Sequence, residues 1–164
     1  MRMMSSVHRI KVVYTHPLET VMCVLLCVAV LVAFAQVVFR YLLHHSLSWS
    51  EELARFIFIW LSMLAAAYGF KTKSHFALVF VVKRFGERWR RLINVLVVAV
   101  LSAFLILFVL KSLDLIFLVT INQVAPGTQI PIAVPYSAAP VGGTLMLYYI
   151  LRNGWVEFRS PLKT

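Results

Sequence analysis

Acidic residues are scarce in this chain, and so are charged residues of any kind. Its 164 residues include six Asp and Glu against sixteen Lys and Arg, and charged residues make up only 13%. Hydrophobic residues make up 62%, and the mean hydropathy is +0.88. A soluble domain of this length needs a more polar surface, so the composition excludes a soluble protein and indicates the membrane class.

The sequence also lacks any long polar stretch that could fold as a soluble domain. Apolar runs fill it, with room for about four membrane-spanning helices of roughly 20 residues each. The net charge of +10 does not indicate a nucleic-acid partner, because the basic residues lie between the apolar runs and form no basic domain. In a membrane protein such a positive surplus reports topology instead.

Residues that carry chemistry are few and poorly placed. Cys23 and Cys27 lie four apart inside the first apolar run, where they suit packing better than a disulfide or a metal site. No histidine lies in the middle of a predicted span, which argues against haem ligation. A phosphate-binding glycine loop and a Gly-x-Ser-x-Gly motif are missing. The sequence therefore predicts no enzyme activity, no cofactor and no metal site.

The apolar runs predict an all-α membrane protein, with four transmembrane helices forming one domain over residues 1–164. The first run continues well past the length of a signal peptide, so we expect it to be an uncleaved span. The third run is longer than the ~30 Å hydrocarbon core and must tilt or protrude. The spans are expected at about 18–43, 49–73, 92–121 and 130–151.

Residues 75–90 form a different kind of segment. Their apolar part is too short to span, and basic residues follow it closely, which is typical of an amphipathic arm in the membrane interface. Four spans place both termini and this arm on one side, which then holds thirteen of the sixteen Lys and Arg residues. By the positive-inside rule, both termini are expected in the cytoplasm.

The fourth run combines prolines with small residues. Pro131, Pro135 and Pro140 predict that its first half is irregular or kinked. Ala138 and Gly142 form a pair of small residues four positions apart, and Ala139 and Gly143 form a second pair. Such pairs let helix backbones approach closely, so this run is expected to pack against other helices.

The second run begins with carboxylates, an arginine and aromatic residues. Ser48, with Glu51 three positions later, fits a helix-capping box. Glu51 and Arg55 are four apart, in the favourable order for an ion pair, and Arg40 at the outer end of the first span is an additional candidate partner. Because these charges fall near the headgroups, we interpret them as anchoring the helix and not as an ion-coupling site.

Two stripes continue along the same helix. A small, partly polar stripe is expected to pack within the helix bundle and contains Arg55, Ser62, Ala66 and Gly69. A bulky stripe is expected to face lipid or the helices of a partner and contains Trp49, Leu53, Phe56, Trp60 and Met63.

These residues also form a recognisable pattern. The segment 49–55 (WSEELAR), followed by Trp60 and by a basic-flanked His75, resembles the signature of the small membrane subunit of tripartite ATP-independent periplasmic (TRAP) transporters. The stretch from 129 to 142, containing QIP and PVG, is similar to that family's last-span pattern, and the resemblance covers roughly residues 18–152. The candidates for structural or assembly roles are Arg40, Ser48, Trp49, Glu51, Glu52, Arg55, Trp60, Pro131, Pro140 and Gly142.

The resemblance implies a non-catalytic subunit of a sodium-driven symporter in the bacterial inner membrane. A periplasmic substrate-binding protein would deliver an organic anion, of the carboxylate or sialic acid type, to a large membrane subunit that moves it. The small subunit would form a stable heterodimer with the large TRAP subunit, contact membrane lipid and widen the scaffold of the transporter. The substrate and sodium sites would belong to the large subunit.

Two other classes stay open at this point. A stand-alone, homo-oligomeric small exporter or channel would depend on Lys111 or Asp114, which are three apart and can pair. A membrane redox enzyme would need a bound chromophore or a reactive cysteine pair.

Overall fold

The computed structural model describes residues 17–44, 48–72, 87–120 and 122–159. A turn of π-helix, Ile116–Thr120, continues the third helix. Within these ranges no β-strand forms, apart from an isolated bridge between Val124 and Pro131, so the predicted all-α class is confirmed. The helices are α1 (Pro17–Tyr41), α2 (Ser48–Lys71), α3 (Glu87–Leu115), α4 (Ala133–Tyr136) and α5 (Ala138–Arg159).

The helix boundaries differ from the predicted runs at two places. Helix α3 begins at Glu87 and not at Leu92, so residues 87–90 are its first turn, whereas the rest of the predicted arm lies outside the described residues. The fourth run breaks at Ser137 between α4 and α5, as its prolines predict, and α5 then continues to Arg159, well beyond the predicted end.

Among the described residues, three helical segments are long and apolar enough to cross a membrane. They are Pro17–Tyr41, Ser48–Lys71 and Leu92–Leu118, and they correspond to the first three predicted spans. Helix α5 has 22 residues but carries polar side chains such as Arg152 and Asn153 in its second half, which make it less apolar than the others.

The order of the helices in space differs from their order in the chain. Helix α1 packs along α2, α2 packs along α5, and α5 packs along α3. The core lies where α2, α5 and α3 meet, around Ala67, Leu105, Met146 and Ile150. Helix α1 has no buried residue and contacts α2 through one half-buried stripe. This stripe contains Leu18, Met22, Leu25, Ala29, Val32 and Gln36. The side of α1 that faces away from α2 is therefore not covered by the other described helices.

Polar contacts hold the helix ends together at one end of the molecule. Lys71 Nζ lies 3.3 Å from Glu19 Oε1, joining the end of α2 to the start of α1. The side-chain amide of Asn153 donates a hydrogen bond to the Phe70 carbonyl at 2.8 Å, which joins α5 to the end of α2. The start of α1 and the ends of α2 and α5 therefore lie together, and the start of α2 lies at the opposite end.

Candidate functional site

The candidate site is the end of the molecule where α2 begins, and its centre is Glu52. Glu52 Oε1 and Oε2 lie 3.0 and 3.1 Å from the Gly127 backbone nitrogen, which donates to them. Thr128 donates twice to Oε2, from its backbone N–H at 2.9 Å and from its hydroxyl at 3.0 Å. Hydrogen bonds to an ionised carboxylate are stronger than those between neutral groups, so Glu52 holds the loop before α4 against α2.

This loop, residues 122–132, is also held by its own backbone. The Ala125 N–H donates to the Ile130 carbonyl at 3.0 Å, and the Ile132 N–H donates to the Gln123 carbonyl at 2.9 Å. A Cβ atom at Gly127 would lie 3.1 Å from Glu52 Cδ, so the absence of a side chain there lets the carboxylate approach the backbone. The loop is thus shaped to present adjacent N–H groups to a single carboxylate.

The predicted ion pairs around Arg55 are not what the structure shows. Within the described ranges, the ion pairs join Lys71 with Glu19 and Lys111 with Asp114, and neither Arg40 nor Arg55 takes part in one. Arg55 and Glu51 therefore form no ion pair, although their spacing predicts one. The reason is that the oxygens of Glu52 are already held by the loop, while Glu51 and Arg55 are both exposed.

Neither stripe of α2 lies wholly on the side that was expected for it. In the partly polar stripe, Arg55 and Ser62 are exposed, whereas Ala66 packs against the core. In the bulky stripe, Trp49 is exposed, and Trp60 and Met63 are half-buried. Met63 packs on the core, because the small residues of α5 leave room for it. Part of the bulky stripe therefore joins the helix packing, and the first half of the partly polar stripe, with Arg55 and Ser62, lies outside.

The glycines of α5 confirm the predicted close packing and divide it between two neighbours. A Cβ atom at Gly142 would lie 2.8 Å from Met63 Cβ on α2, and one at Gly143 would lie 2.8 Å from Val109 Cγ2 on α3. Pro140 is buried at the start of the same helix, where its missing N–H costs no hydrogen bond. The two successive glycines thus allow α5 to lie between α2 and α3.

The remaining candidates lie at exposed or boundary positions. Helix α2 begins at Ser48, the predicted cap residue, but no described contact tests the capping box itself. Trp49 is 46% exposed, Arg40 is in the last turn of α1, and Pro131 takes part in the isolated bridge with Val124. Their assembly roles stay predictions.

Helix α3 contains an ion pair that the sequence spacing predicted correctly. Lys111 Nζ lies 3.1 Å from Asp114 Oδ2, and the two side chains are 80% and 57% exposed. Both groups therefore point away from the packed helices, so they do not line an internal path.

Sequence reasoning missed the binding partners of Glu52. The dipeptide Pro126-Gly127 was recognisable as a turn, but nothing in the sequence links this turn to a carboxylate 75 residues earlier. The role of Asn153 was missed as well. The sequence does not indicate which backbone carbonyl its side-chain amide binds.

The sequence of this chain matches a known protein family. The family model described as "Tripartite ATP-independent periplasmic transporters, DctQ component" matches residues 28–160, which is most of the chain. The match includes the Glu52 site, the core and α5.

Individual relatives agree with this assignment. The isethionate TRAP transporter permease protein DctMQ of Oleidesulfovibrio alaskensis is 32% identical over 125 residues, covering 72% of this chain and 20% of that protein. The C4-dicarboxylate TRAP transporter small permease protein DctQ of Vibrio cholerae is 26% identical over 148 residues, covering 76% of this chain and 64% of that protein. A putative TRAP transporter small permease protein of Haemophilus influenzae is 26% identical over 130 residues, covering 74% and 78%.

The matched regions thus span less than two thirds of the first two relatives. The family match and the apolar helices together support a multi-pass protein of the inner membrane, as predicted. The chain belongs to the DctQ family of tripartite ATP-independent periplasmic transporters, whose members are transporter subunits and not enzymes.

Proposed function

We propose that this chain is the non-catalytic small membrane subunit of a sodium-driven TRAP transporter, and that it scaffolds a large transport subunit during uptake of an organic anion. The family membership supports a transport role. The relative from Oleidesulfovibrio alaskensis carries the name DctMQ and is about five times longer than the matched region, which supports a large partner subunit. A periplasmic binding protein would deliver the anion to that partner.

The observation that carries the scaffold role is the apolar packing of the helices. The core around Ala67 and Met146 is apolar, and the ionisable groups of the described helices lie towards the helix ends or on exposed faces. A subunit that itself moved an ion or an anion through the membrane would need polar groups at mid-membrane inside the protein. The described residues instead form fixed contacts, such as Glu52 with the loop and Asn153 with Phe70.

We also propose that α5 is the fourth span and that both termini lie in the cytoplasm. The start of α1 and the ends of α2 and α5 lie together, as a four-span arrangement requires. Lys71 and Arg152 lie near this end, and the positive-inside rule assigns such an end to the cytoplasm. Reporter fusions to the two termini should then be active as cytoplasmic fusions, and a periplasmic signal from either would contradict this orientation.

The proposed cargo is a small organic anion. The relatives carry the names of isethionate and C4-dicarboxylate transporters, and both of these are organic anions. Carboxylates belong to the class of organic anions, and so does the larger sialic acid. Both kinds of anion are included among the substrates to be tested. The large subunit and the binding protein, and not this chain, would select among them.

Co-purification combined with an uptake assay tests the proposed function. The chain should purify as a stable heterodimer with a much larger membrane chain and with associated lipid. Proteoliposomes containing both subunits should take up the anion only when a sodium gradient and the binding protein are supplied. Uptake by the purified chain alone would contradict the proposal and would favour the alternative, a homo-oligomeric exporter or channel.

A further inference from the structure

The exposed side of α2 differs in chemistry from the exposed sides of α1 and α3. Residues at intervals of three and four positions, which share one helix face, are all exposed there. We call this surface the α2 outer face, and it contains Glu51, Arg55, Phe58, Ser62 and Ala65. It has two charged groups, a hydroxyl and a small side chain around one large aromatic ring, inside a helix that is apolar enough to span a membrane.

The exposed sides of α1 and α3 are suited to lipid, by contrast. On α1, Leu31 and Phe34 are each 67% exposed. On α3, Val100, Phe104 and Leu107 are 58%, 61% and 60% exposed. Lipid tails are favourable neighbours for such large apolar side chains, whereas small and polar residues are enriched where membrane helices pack against each other.

Arg55 gives the α2 outer face a preference for a partner with negative charge. Arg55 is exposed and belongs to no ion pair among the described residues. The carboxylate of Glu52, three positions before Arg55, is already bound by Gly127 and Thr128. A charged group in a spanning helix is costly unless a partner or water satisfies it, so a carboxylate from another chain would complement Arg55.

Phe58 and Ser62 indicate the shape of that partner. Phe58 is 67% exposed, and its nearest neighbours on the same face are small or polar. The Ser62 hydroxyl donates to the Ile59 carbonyl of its own helix at 2.9 Å, so it adds little bulk to the surface. Another helix can therefore approach closely beside Ser62 and Ala65, with the Phe58 ring fitting between its side chains.

We propose that the α2 outer face is the surface on which a transmembrane helix of the large subunit packs, with a carboxylate of that helix paired to Arg55. This inference rests on the proposed function, because it requires the large subunit as the occupant. It adds the face of this chain that is used and the charge that the partner presents there.

Photo-crosslinking in the membrane tests the face. A photo-reactive phenylalanine analogue is placed at Phe58 or, as a matched control, at Phe104 of α3, which is a similarly exposed phenylalanine. Both variants are expressed with the large subunit and illuminated. We expect an adduct of this chain with the large subunit from position 58 and none from position 104.

The other outcomes are distinguishable. If the wild-type chain fails to co-purify with a larger membrane chain, both the proposed function and this inference are overturned. If it does co-purify, but position 58 gives only lipid adducts or an adduct of two copies of this chain, the α2 outer face is the wrong surface and the proposed function stands. If position 104 alone gives an adduct with the large subunit, the α2 outer face is again the wrong surface and the proposed function stands.

Charge reversal tests the pairing of Arg55. Arg55→Glu should lower the yield of co-purified large subunit by about tenfold or more, since like charges in a buried interface repel strongly, and Arg55→Lys should lower it less. Lys111→Glu, which reverses an exposed basic residue on α3, should leave the yield unchanged. Equal losses from Arg55→Glu and Lys111→Glu, with both variants eluting as folded proteins, would overturn the pairing.

Discussion

The Glu52 carboxylate accepts hydrogen bonds from both the backbone N–H and the hydroxyl of Thr128, at 2.9 and 3.0 Å, although 76 positions separate the two residues. Together with the Gly127 N–H, these contacts join the beginning of α2 to the loop that leads into α4 and α5. Glu52 is thus a connector between two parts of the chain, and its charge serves the fold of this end of the molecule.

Glu52→Gln should lower the thermal stability of the chain in detergent. The amide keeps one acceptor oxygen, but its NH₂ group faces donor N–H groups and the negative charge is lost. Thermal unfolding followed by size-exclusion fluorescence measures the change. Glu51→Gln is the matched control, because Glu51 is exposed at the neighbouring position. Equal midpoints for the two variants would show that the loop contact does not stabilise the fold.

Thr128→Val should destabilise the chain less than Glu52→Ala, because it removes the hydroxyl and keeps the backbone donor. The two substitutions act on the same contact, so the double variant should be less destabilised than the sum of the single variants. The midpoints of thermal unfolding of all four proteins form the double-mutant cycle. Additive effects would mean that the Thr128 hydroxyl contact with Glu52 does not contribute.

Gly142→Ala should destabilise the packing of α5 on α2. The new methyl group would lie 2.8 Å from Met63 Cβ, an atom that can move only together with its backbone, and overpacking of this kind costs about 1–3 kcal/mol. Gly154→Ala is the control in the same helix, because its Cβ would lie 3.3 Å from Val98 Cγ1. Free energies of unfolding in detergent should separate the two variants, and an unchanged value for Gly142→Ala would contradict the observed approach of the helices.

Gln129 has a φ of 57°, in the left-handed region, and this angle predicts how the 122–132 loop tolerates substitution. Gln129→Gly and Gln129→Val both remove the side-chain hydrogen bond to the Pro126 carbonyl. Only valine adds the steric cost of the left-handed conformation, about 1–2 kcal/mol, so it should give the less stable protein. Equal unfolding free energies would show that the loop changes its conformation to accommodate valine.

Asn153→Leu should weaken the end of the molecule where α2 and α5 meet. It removes the 2.8 Å hydrogen bond to the Phe70 carbonyl while keeping a side chain of similar size, and a bond of this kind contributes about 0.5–1.5 kcal/mol. Arg152→Leu is the control at the adjacent exposed position. Faster hydrogen exchange near residue 70 in the Asn153 variant, but not in the control, would confirm the contact.

Local features of the sequence were enough to predict the helices. The positions of the first three apolar runs agree with α1, α2 and α3, because apolar length determines which segments can span a bilayer. The prolines before α5 predicted the break at Ser137, since proline lacks the backbone donor that a continuous helix needs. The Lys111–Asp114 pair was equally predictable from its spacing within one helix.

The parts that failed all depend on which helices become neighbours. Met63 was expected to face lipid or the helices of a partner, and it packs inward because Gly142 of α5 leaves space for it. Arg55 was expected to pair with Glu51, but the two form no ion pair, and a distant loop holds the neighbouring Glu52.

The sequence by itself determined the membrane class, the positions of the first three spans, the turn at Pro126-Gly127 and the small residues of α5, because each depends on a few adjacent residues and on the solvent around them. Only the tertiary structure decided that Glu52 binds Gly127 and Thr128, that α5 lies between α2 and α3, and that the Arg55 side of α2 stays exposed. These features depend on contacts between distant segments, and the period of a helix indicates which residues share a face but not what that face meets.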